Sequence, residues 1–384
     1  MNSDLTAEAD GQQVARLQGV VQKGPMLSGG TVTVAPLDEA LNVQPALATT
    51  TTEDDLGTYQ VELPFEGVVQ VEARGLWFNE LTGAAAGTPV TLRALAQLEL
   101  GAGVQEVKVN ALTQVCANRV IYLALGGMPL AQAQLASARE LVLVLGVTPA
   151  GYQPTLPPEA LDLALSEGLD HAFLAGFSGM LLQAASKRGG ALDAKVQELL
   201  GQVAADFADG TLEATLLEEL RQANKTLDSA GFRQRLSTWF GQVPGGPGET
   251  CADPDGVLDA DFDGHANAED NCPKAPNPLL TDTDDDGIGD ICDACPITPC
   301  EGLCLPANGQ DRLADLCHLP CQDGACQEAQ TCLQSTKLCG PLGSCCVPNG
   351  EPGAACHDDQ TCDGDLSCSP DDPSCPPPLN SCCK

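Results

Sequence analysis

Two acidic runs hold the residues with the clearest capacity for chemistry. The first is Asp259-Ala-Asp261-Phe-Asp263-Gly264-His265-Ala-Asn267-Ala-Glu-Asp270, and the second is Asp282-Thr-Asp284-Asp-Asp286-Gly287-Ile288-Gly-Asp290-Ile-Cys-Asp293. Each places side-chain oxygens at positions 1, 3, 5, 9 and 12 and a glycine at position 6. That glycine permits the sharp turn that brings the carbonyl of position 7, His265 or Ile288, inward. So many carboxylates with no lysine among them repel one another unless a hard cation sits between them. A shell of about six to eight oxygens at about 2.3–2.6 Å suits Ca2+. The spacing therefore predicts twelve metal-site positions: Asp259, Asp261, Asp263, His265, Asn267, Asp270, Asp282, Asp284, Asp286, Ile288, Asp290 and Asp293. A solvated acidic linker is the plain alternative, and repetition at fixed spacing weighs against it.

An EF-hand would need a bidentate Glu at position 12 and flanking amphipathic helices, whereas this chain has Asp there, with Cys and Pro nearby. The stretch Asp270-Asn271-Cys272-Pro273-Lys274-Ala275-Pro276-Asn277-Pro278, together with Gly289-Asp290-Ile291-Cys292-Asp293, closely resembles the thrombospondin type 3 repeat. The resemblance implies a chain wrapped around calcium ions with almost no apolar core, and a disulfide between Cys272 and Cys292. Two departures bear on stoichiometry. Asn267 stands where the first loop would carry Asp, and Asp253-Pro-Asp255-Gly256 reads as a truncated third motif.

Other candidate chemistry is weaker. Gly176-Phe-Ser178-Gly179-Met180 approaches the GxSxG nucleophile elbow, but Met180 replaces the last glycine and the segment reads as helix. His171, His265, His318 and His357 form no HExxH motif and sit beside no plausible nucleophile. Cys116 falls on an apolar helical stripe and reads as a buried, reduced thiol. A net charge of −35 disfavours nucleic-acid binding.

Cysteine usage divides the chain. Of 20 cysteines only Cys116 precedes residue 251, and the segment from there on is strongly acidic. Adjacent pairs such as Cys345–Cys346 and Cys382–Cys383 suit a disulfide scaffold better than thiolate zinc sites, so the compartment is expected to be oxidising. Connectivity stays open. The odd count from residue 251 on predicts one accessible thiol, available for a disulfide-linked dimer. The opening MNSDLTAEADG does not read as an export signal, which leaves room for a leader upstream and a lipid anchor on it. The apolar run Ala172 to Leu182 is about half of a membrane span.

The elements that must position these residues begin with short Val- and Thr-rich segments at 17–22, 31–36, 58–63 and 68–73. Three of them alternate and are separated by turn residues such as Gly24-Pro25 and Asp54-Asp55-Leu56-Gly57. They predict an antiparallel β-sandwich over 1–109. The sequences GVVQKGP, TVTV and TEDDLGTYQVEL in it resemble transthyretin-like or carboxypeptidase-regulatory-like modules of bacterial surface proteins. Such modules imply a spacer or binding platform. Helical periodicity then predicts an all-α domain over 110–240, with helices at 112–123, 130–145, 158–187, 192–207, 212–226 and 229–240, and Asn110 and Thr211 at or near caps. Residues 241–250, GQVPGGPGET, read as a flexible linker. The calcium repeat over 251–295 and a cysteine-rich disulfide domain over 296–384 with little regular structure complete the multidomain expectation.

Together these features predict a noncatalytic secreted or cell-surface protein, with an outer-membrane lipoprotein as one form. Its expected role is adhesion or extracellular scaffolding, the calcium repeat serving as a stiff spacer and the partner an unidentified extracellular protein or glycan. Two rival readings are an accessory or degenerate secreted hydrolase and a cysteine-rich inhibitor. On this reading calcium stabilises 251–295 selectively while the first 240 residues melt independently.

Overall fold

The computed structural model describes residues 13–248, 250–283, 285 and 287–293, and, as backbone only, six short strands beyond them. The N-terminal part is a β-sheet region of ten strands: β1 (Ala15–Gln22), β2 (Thr31–Pro36), β3 (Ala48–Thr51), β4 (Thr58–Leu63), β5 (Gly67–Gly75), β6 (Phe78–Asn79), β7 (Ala84–Ala85), β8 (Val90–Leu98), β9 (Val104–Glu106) and β10 (Val109–Asn110). One sheet has the order β3-β2-β5-β8 and is antiparallel throughout. In the second four-stranded sheet, β1 pairs antiparallel with β4 but parallel with both β9 and β10, and β6 pairs with β7 alone. The expected all-antiparallel arrangement is thus corrected to a mixed one, because the chain returns from β8 in the direction of β1. Alternation is respected: Val32 and Val34, and Val69, Val71 and Ala73, point into the core.

The sequence VTLRALAQL, rich in helix formers, is β8. Its nine residues all pair with β5, and Val90, Leu92, Ala94 and Leu98 are buried. Tertiary pairing outweighs local propensity here.

Six helices come next: α1 (Ala111–Leu125), α2 (Leu130–Leu145), α3 (Leu169–Lys187), α4 (Leu192–Asp206), α5 (Ala214–Lys225) and α6 (Ser229–Gln242). Asn110 caps α1 as expected. Its Oδ1 accepts from the Thr113 amide at 3.0 Å, and the Thr113 hydroxyl accepts from the Asn110 amide at 2.8 Å. The long helix expected over 158–187 is instead a 3-10 turn at Pro158–Ala160, a non-helical stretch and α3. The intervening amides bond side chains in place of helical carbonyls: Leu163 N–H donates to Gln22 Oε1 at 2.9 Å and Asp162 N–H to His171 Nδ1 at 3.0 Å. Asp170, in the first turn of α3, accepts from the Thr155 and Leu156 amides at 2.9 and 2.8 Å. Near the start of α5, Glu213 rather than Thr211 is the cap residue, and Thr211 bonds Asp209.

Sheets and helices share one hydrophobic core, where separate domains over 1–109 and 110–240 were expected. Trp239 of α6 stacks on Phe78 of β6 at 4.5 Å and its indole N–H donates to the Asp55 carbonyl at 3.1 Å. Nor does 241–250 act as a separating linker. Cys251, Ala252, Val257 and Leu258 belong to the same core, and the division into compact units falls between Lys274 and Ala275. A Cβ on Gly176 of α3 would lie 2.9 Å from Leu258, so this helix face is glycine because Leu258 occupies the space. Among the described residues no helix is long and apolar enough to cross a membrane.

One half-buried acid with a sealed oxygen makes the stability of this core depend on pH. Glu159 Oε2 is sealed from solvent without a hydrogen-bond partner, and burial pushes the carboxyl up to about 7 from 4.5. The folded state holds this proton more tightly than the unfolded chain, so its contribution is full below about 4.5 and is lost as pH rises through about 7. Glu159→Gln is expected to exceed the wild type by about 1–3 kcal/mol near pH 8 and to match it near pH 4. Urea denaturation at the two pH values checks this; an equal gain at both would remove the titration as its cause.

The six later strands form three antiparallel ladders: Leu303–Cys304 with Cys317–His318, Gln330–Gln334 with Ser344–Pro348, and Cys368–Pro370 with Ser381–Cys383. In register, Cys304 faces Cys317, Cys332 faces Cys346 and Cys368 faces Cys383. The remainder of the expected cysteine-rich domain over 296–384 lies outside the described residues, as does Cys295 at the end of the expected calcium repeat.

Candidate metal centre

The first acidic run folds into a tight loop whose own backbone organises its carboxylates. Asp259 Oδ1 accepts from the Phe262 amide at 2.6 Å and its Oδ2 from the Gly264 amide at 3.0 Å. Asp261 Oδ1 accepts from Asp263 N–H at 3.3 Å and Asp263 Oδ1 from His265 N–H at 3.0 Å. The turn requires left-handed backbone at Phe262 (φ 68°) and Gly264 (φ 104°). Carboxylate oxygens of Asp259, Asp261 and Asp263 then lie within 4.8 Å of one another, with the first two residues buried.

The electrostatics of this cluster are unfavourable without a counter-charge. Burial first, and then the charges of Asp263, Asp270 and Asp259, push Asp261 up to about 6. Burial likewise raises Asp270, against the pull of the Cys272 amide it accepts from at 2.7 Å. Asp261 Oδ2 is sealed from solvent and has no hydrogen-bond partner. A buried acceptor of this kind, facing other carboxylates, is satisfied by a proton or a metal ion. The three carboxylates could hold a metal ion.

Asn267, expected as a ligand, also braces the loop: its Oδ1 accepts from Ala260 N–H at 2.9 Å and its Nδ2 donates to Asp255 Oδ1 at 3.1 Å. The truncated motif at 253–256 therefore braces the first loop. The loop is also fixed to the helices, since Asp259 N–H donates to the Val147 carbonyl at 2.9 Å and Asn224 Nδ2 to the Asp259 carbonyl at 2.7 Å. No local pattern marks Asn224 for this part, because its partner lies far along the chain.

The second loop repeats the first at an offset of twenty-three residues. Asp282 Oδ2 accepts from Gly287 N–H at 2.9 Å, as Asp259 does from Gly264. Thr283 N–H donates to Asp290 Oδ1 at 2.7 Å, as Ala260 does to Asn267. Asp290 N–H donates to the Thr281 carbonyl at 2.9 Å, as Asn267 does to Leu258 at 2.8 Å. Left-handed backbone recurs at Asp285 (φ 60°) and Gly287 (φ 89°). Asp282 Oδ1 is sealed from solvent with no partner, as is Asp261 Oδ2. Asp284 and Asp286 lie outside the described residues. Ile288 is exposed and Asp290 half-buried, in keeping with a loop whose oxygens, not its apolar side chains, do the organising.

The cysteines resolve differently from the expectation of one accessible thiol. Cys116 is free and buried, its thiol pushed up to about 12 by burial. Cys251 is also free and buried, its thiol raised by burial and 3.5 Å from the Arg233 carbonyl. With these two set aside, an even number of cysteines remains, so parity no longer demands an exposed thiol. Cys272 and Cys292 are both disulfide-bonded.

Ser178, at the centre of the near-elbow sequence, is fully buried within α3 and hydrogen-bonded to Lys23 and Glu80. Comparison with known proteins returns nothing: no family model, no curated protein and no solved structure matches the chain.

Proposed function

We propose that this chain is a noncatalytic calcium-binding protein of the cell surface or extracellular space, acting in adhesion or scaffold assembly. The observation that carries the reading is the repeated loop, with one hydrogen-bond pattern built twice around aspartates that retain unsatisfied oxygens. Oxygen-only donors in a flexible loop suit Ca2+; Mg2+ demands a smaller, near-ideal octahedron and keeps its waters. In this reading Asp259, Asp261, Asp263, Asn267 and Asp270, with the carbonyl of His265, hold one ion, and Asp282, Asp284, Asp286, Asp290 and Asp293, with the carbonyl of Ile288, hold another. The bound ion neutralises the cluster and sets the loop geometry.

Disulfide bonding of Cys272 and Cys292 favours an oxidising compartment, and burial of Ser178 favours a role without nucleophilic catalysis. The two sheets would serve as a transthyretin-like platform and the loops as a thrombospondin type 3-like segment. Calorimetric titration of metal-stripped protein tests the proposal: saturable calcium binding, with magnesium far weaker, is expected. No calcium heat, or equal response to both ions, would count against it.

A further inference from the structure

Beneath α3, three polar side chains from distant parts of the chain meet in a site closed to solvent. Lys23 comes directly after β1, Glu80 directly after β6, and Ser178 lies within α3; all three are 0% exposed. Lys23 Nζ lies 3.5 Å from Glu80 Oε2 and donates to Ser178 Oγ at 2.8 Å. The Ser178 hydroxyl lies 2.9 Å from Glu80 Oε1 and also contacts the Lys23 carbonyl. Trp77 covers the amine at 5.0 Å, and Arg235 Nε fixes the Glu80 backbone by donating to its carbonyl at 2.6 Å. Glu80 Oε2 accepts no hydrogen bond.

A buried ion pair of this kind bears a desolvation cost that mutual attraction barely offsets. Burial lowers the lysine and raises the glutamate, each against the pull of the other's charge, so both are driven toward their neutral forms. A neutral amine is a nucleophile and a neutral carboxylic acid is an acceptor for it. Well-oriented neighbouring groups reach effective molarities of about 10⁵–10⁸ M, and exclusion of water disfavours the reverse hydrolysis.

We propose that Lys23 and Glu80 are joined by an amide cross-link formed after folding. Nζ attacks Cδ of the protonated carboxyl, the Nζ–Cδ bond forms and the Cδ–Oε1 bond breaks, Oε1 being the oxygen in contact with Ser178. The departing hydroxyl takes up one amine proton and leaves as water, with the Ser178 hydroxyl placed to relay that proton between nitrogen and oxygen. No oxidant or cofactor is required. The product ties the turn after β1 to the segment after β6 by a bond that neither reduction nor chelation breaks, unlike the disulfides and metal loops of the same chain.

The deciding measurement is the intact mass of the folded, then denatured and fully reduced, full-length chain. The expected value is one water below the sequence mass, with a proteolytic peptide containing Lys23 covalently linked to one containing Glu80. Glu80→Gln is expected to lose ammonia instead of water, and Lys23→Arg to keep its full mass. Wild-type protein at the sequence mass, with Lys23 and Glu80 in separate peptides, overturns the proposal, and that result does not depend on any variant folding.

Discussion

Calcium is expected to raise the unfolding temperature of the whole unit that ends at Lys274, and not that of a detached acidic module. A site saturated a hundredfold above its Kd adds about 2.7 kcal/mol to the state that binds it. Spacing along the chain alone assigns this gain selectively to 251–295, behind a flexible linker. The first loop is instead anchored in the core: Asp259 bonds Val147 and Asn224 through its backbone, and Leu258 fills the space over Gly176. Mutual repulsion of the carboxylates in the metal-free loop therefore strains contacts of α3 and α5. Scanning calorimetry with excess calcium and with chelator tests the coupling. A main transition that stays fixed while only a minor one shifts would show that the loop melts on its own.

The second large effect is a reversal of sign. Asp261→Asn is expected to stabilise the metal-free protein and destabilise the calcium-loaded one relative to wild type. Without the ion, Asp261 is a buried carboxylate beside Asp259, Asp263 and Asp270, and removing its charge relieves on the order of 1–2 kcal/mol. With the ion, the variant lacks a hard anionic ligand and forfeits most of the binding contribution. The folded carboxyl sits above its ordinary 3.8, so the metal-free wild type loses stability as pH rises from there through about 6, and the variant does not. Urea titrations in calcium and in chelator, near neutral pH, provide the comparison. A variant weaker in both buffers would mean that Asp261 serves the fold and not an ion.

These two effects separate the metal from the remaining stabilisers of the chain. The disulfide-bonded Cys272 and Cys292 respond to reductant and the loops to chelator. The Lys23–Glu80 pair is shielded from solvent and is expected to respond to neither. Loss of calcium binding would leave the mass of the protein unchanged, and absence of the cross-link would leave calcium binding unchanged, so the two ideas fail independently.

Spacing along the chain alone determined the acidic loops, the α1 cap at Asn110 and the full extent of α2. Each rests on contacts between residues a few positions apart: a carboxylate meets an amide five residues on, an Asn side chain meets the amide three residues on, and an apolar stripe repeats each turn. Only the tertiary structure decided the rest. The pairing of β8 across β5 overrides the helical composition of VTLRALAQL, and the parallel return of β9 and β10 depends on the path between two sheets. Side chains such as Gln22 and His171, which take the amides of Leu163 and Asp162, hold 161–168 out of a helix. The fusion of sheets, helices and first loop into one unit rests on partners such as Asn224 and Asp259, or Trp239 and Phe78, whose meeting no local pattern encodes. Lys23, Glu80 and Ser178 are the extreme case. Each is unremarkable in its own segment, and only burial of all three at one point, where water can no longer stabilise a charge, turns them into a reactive group.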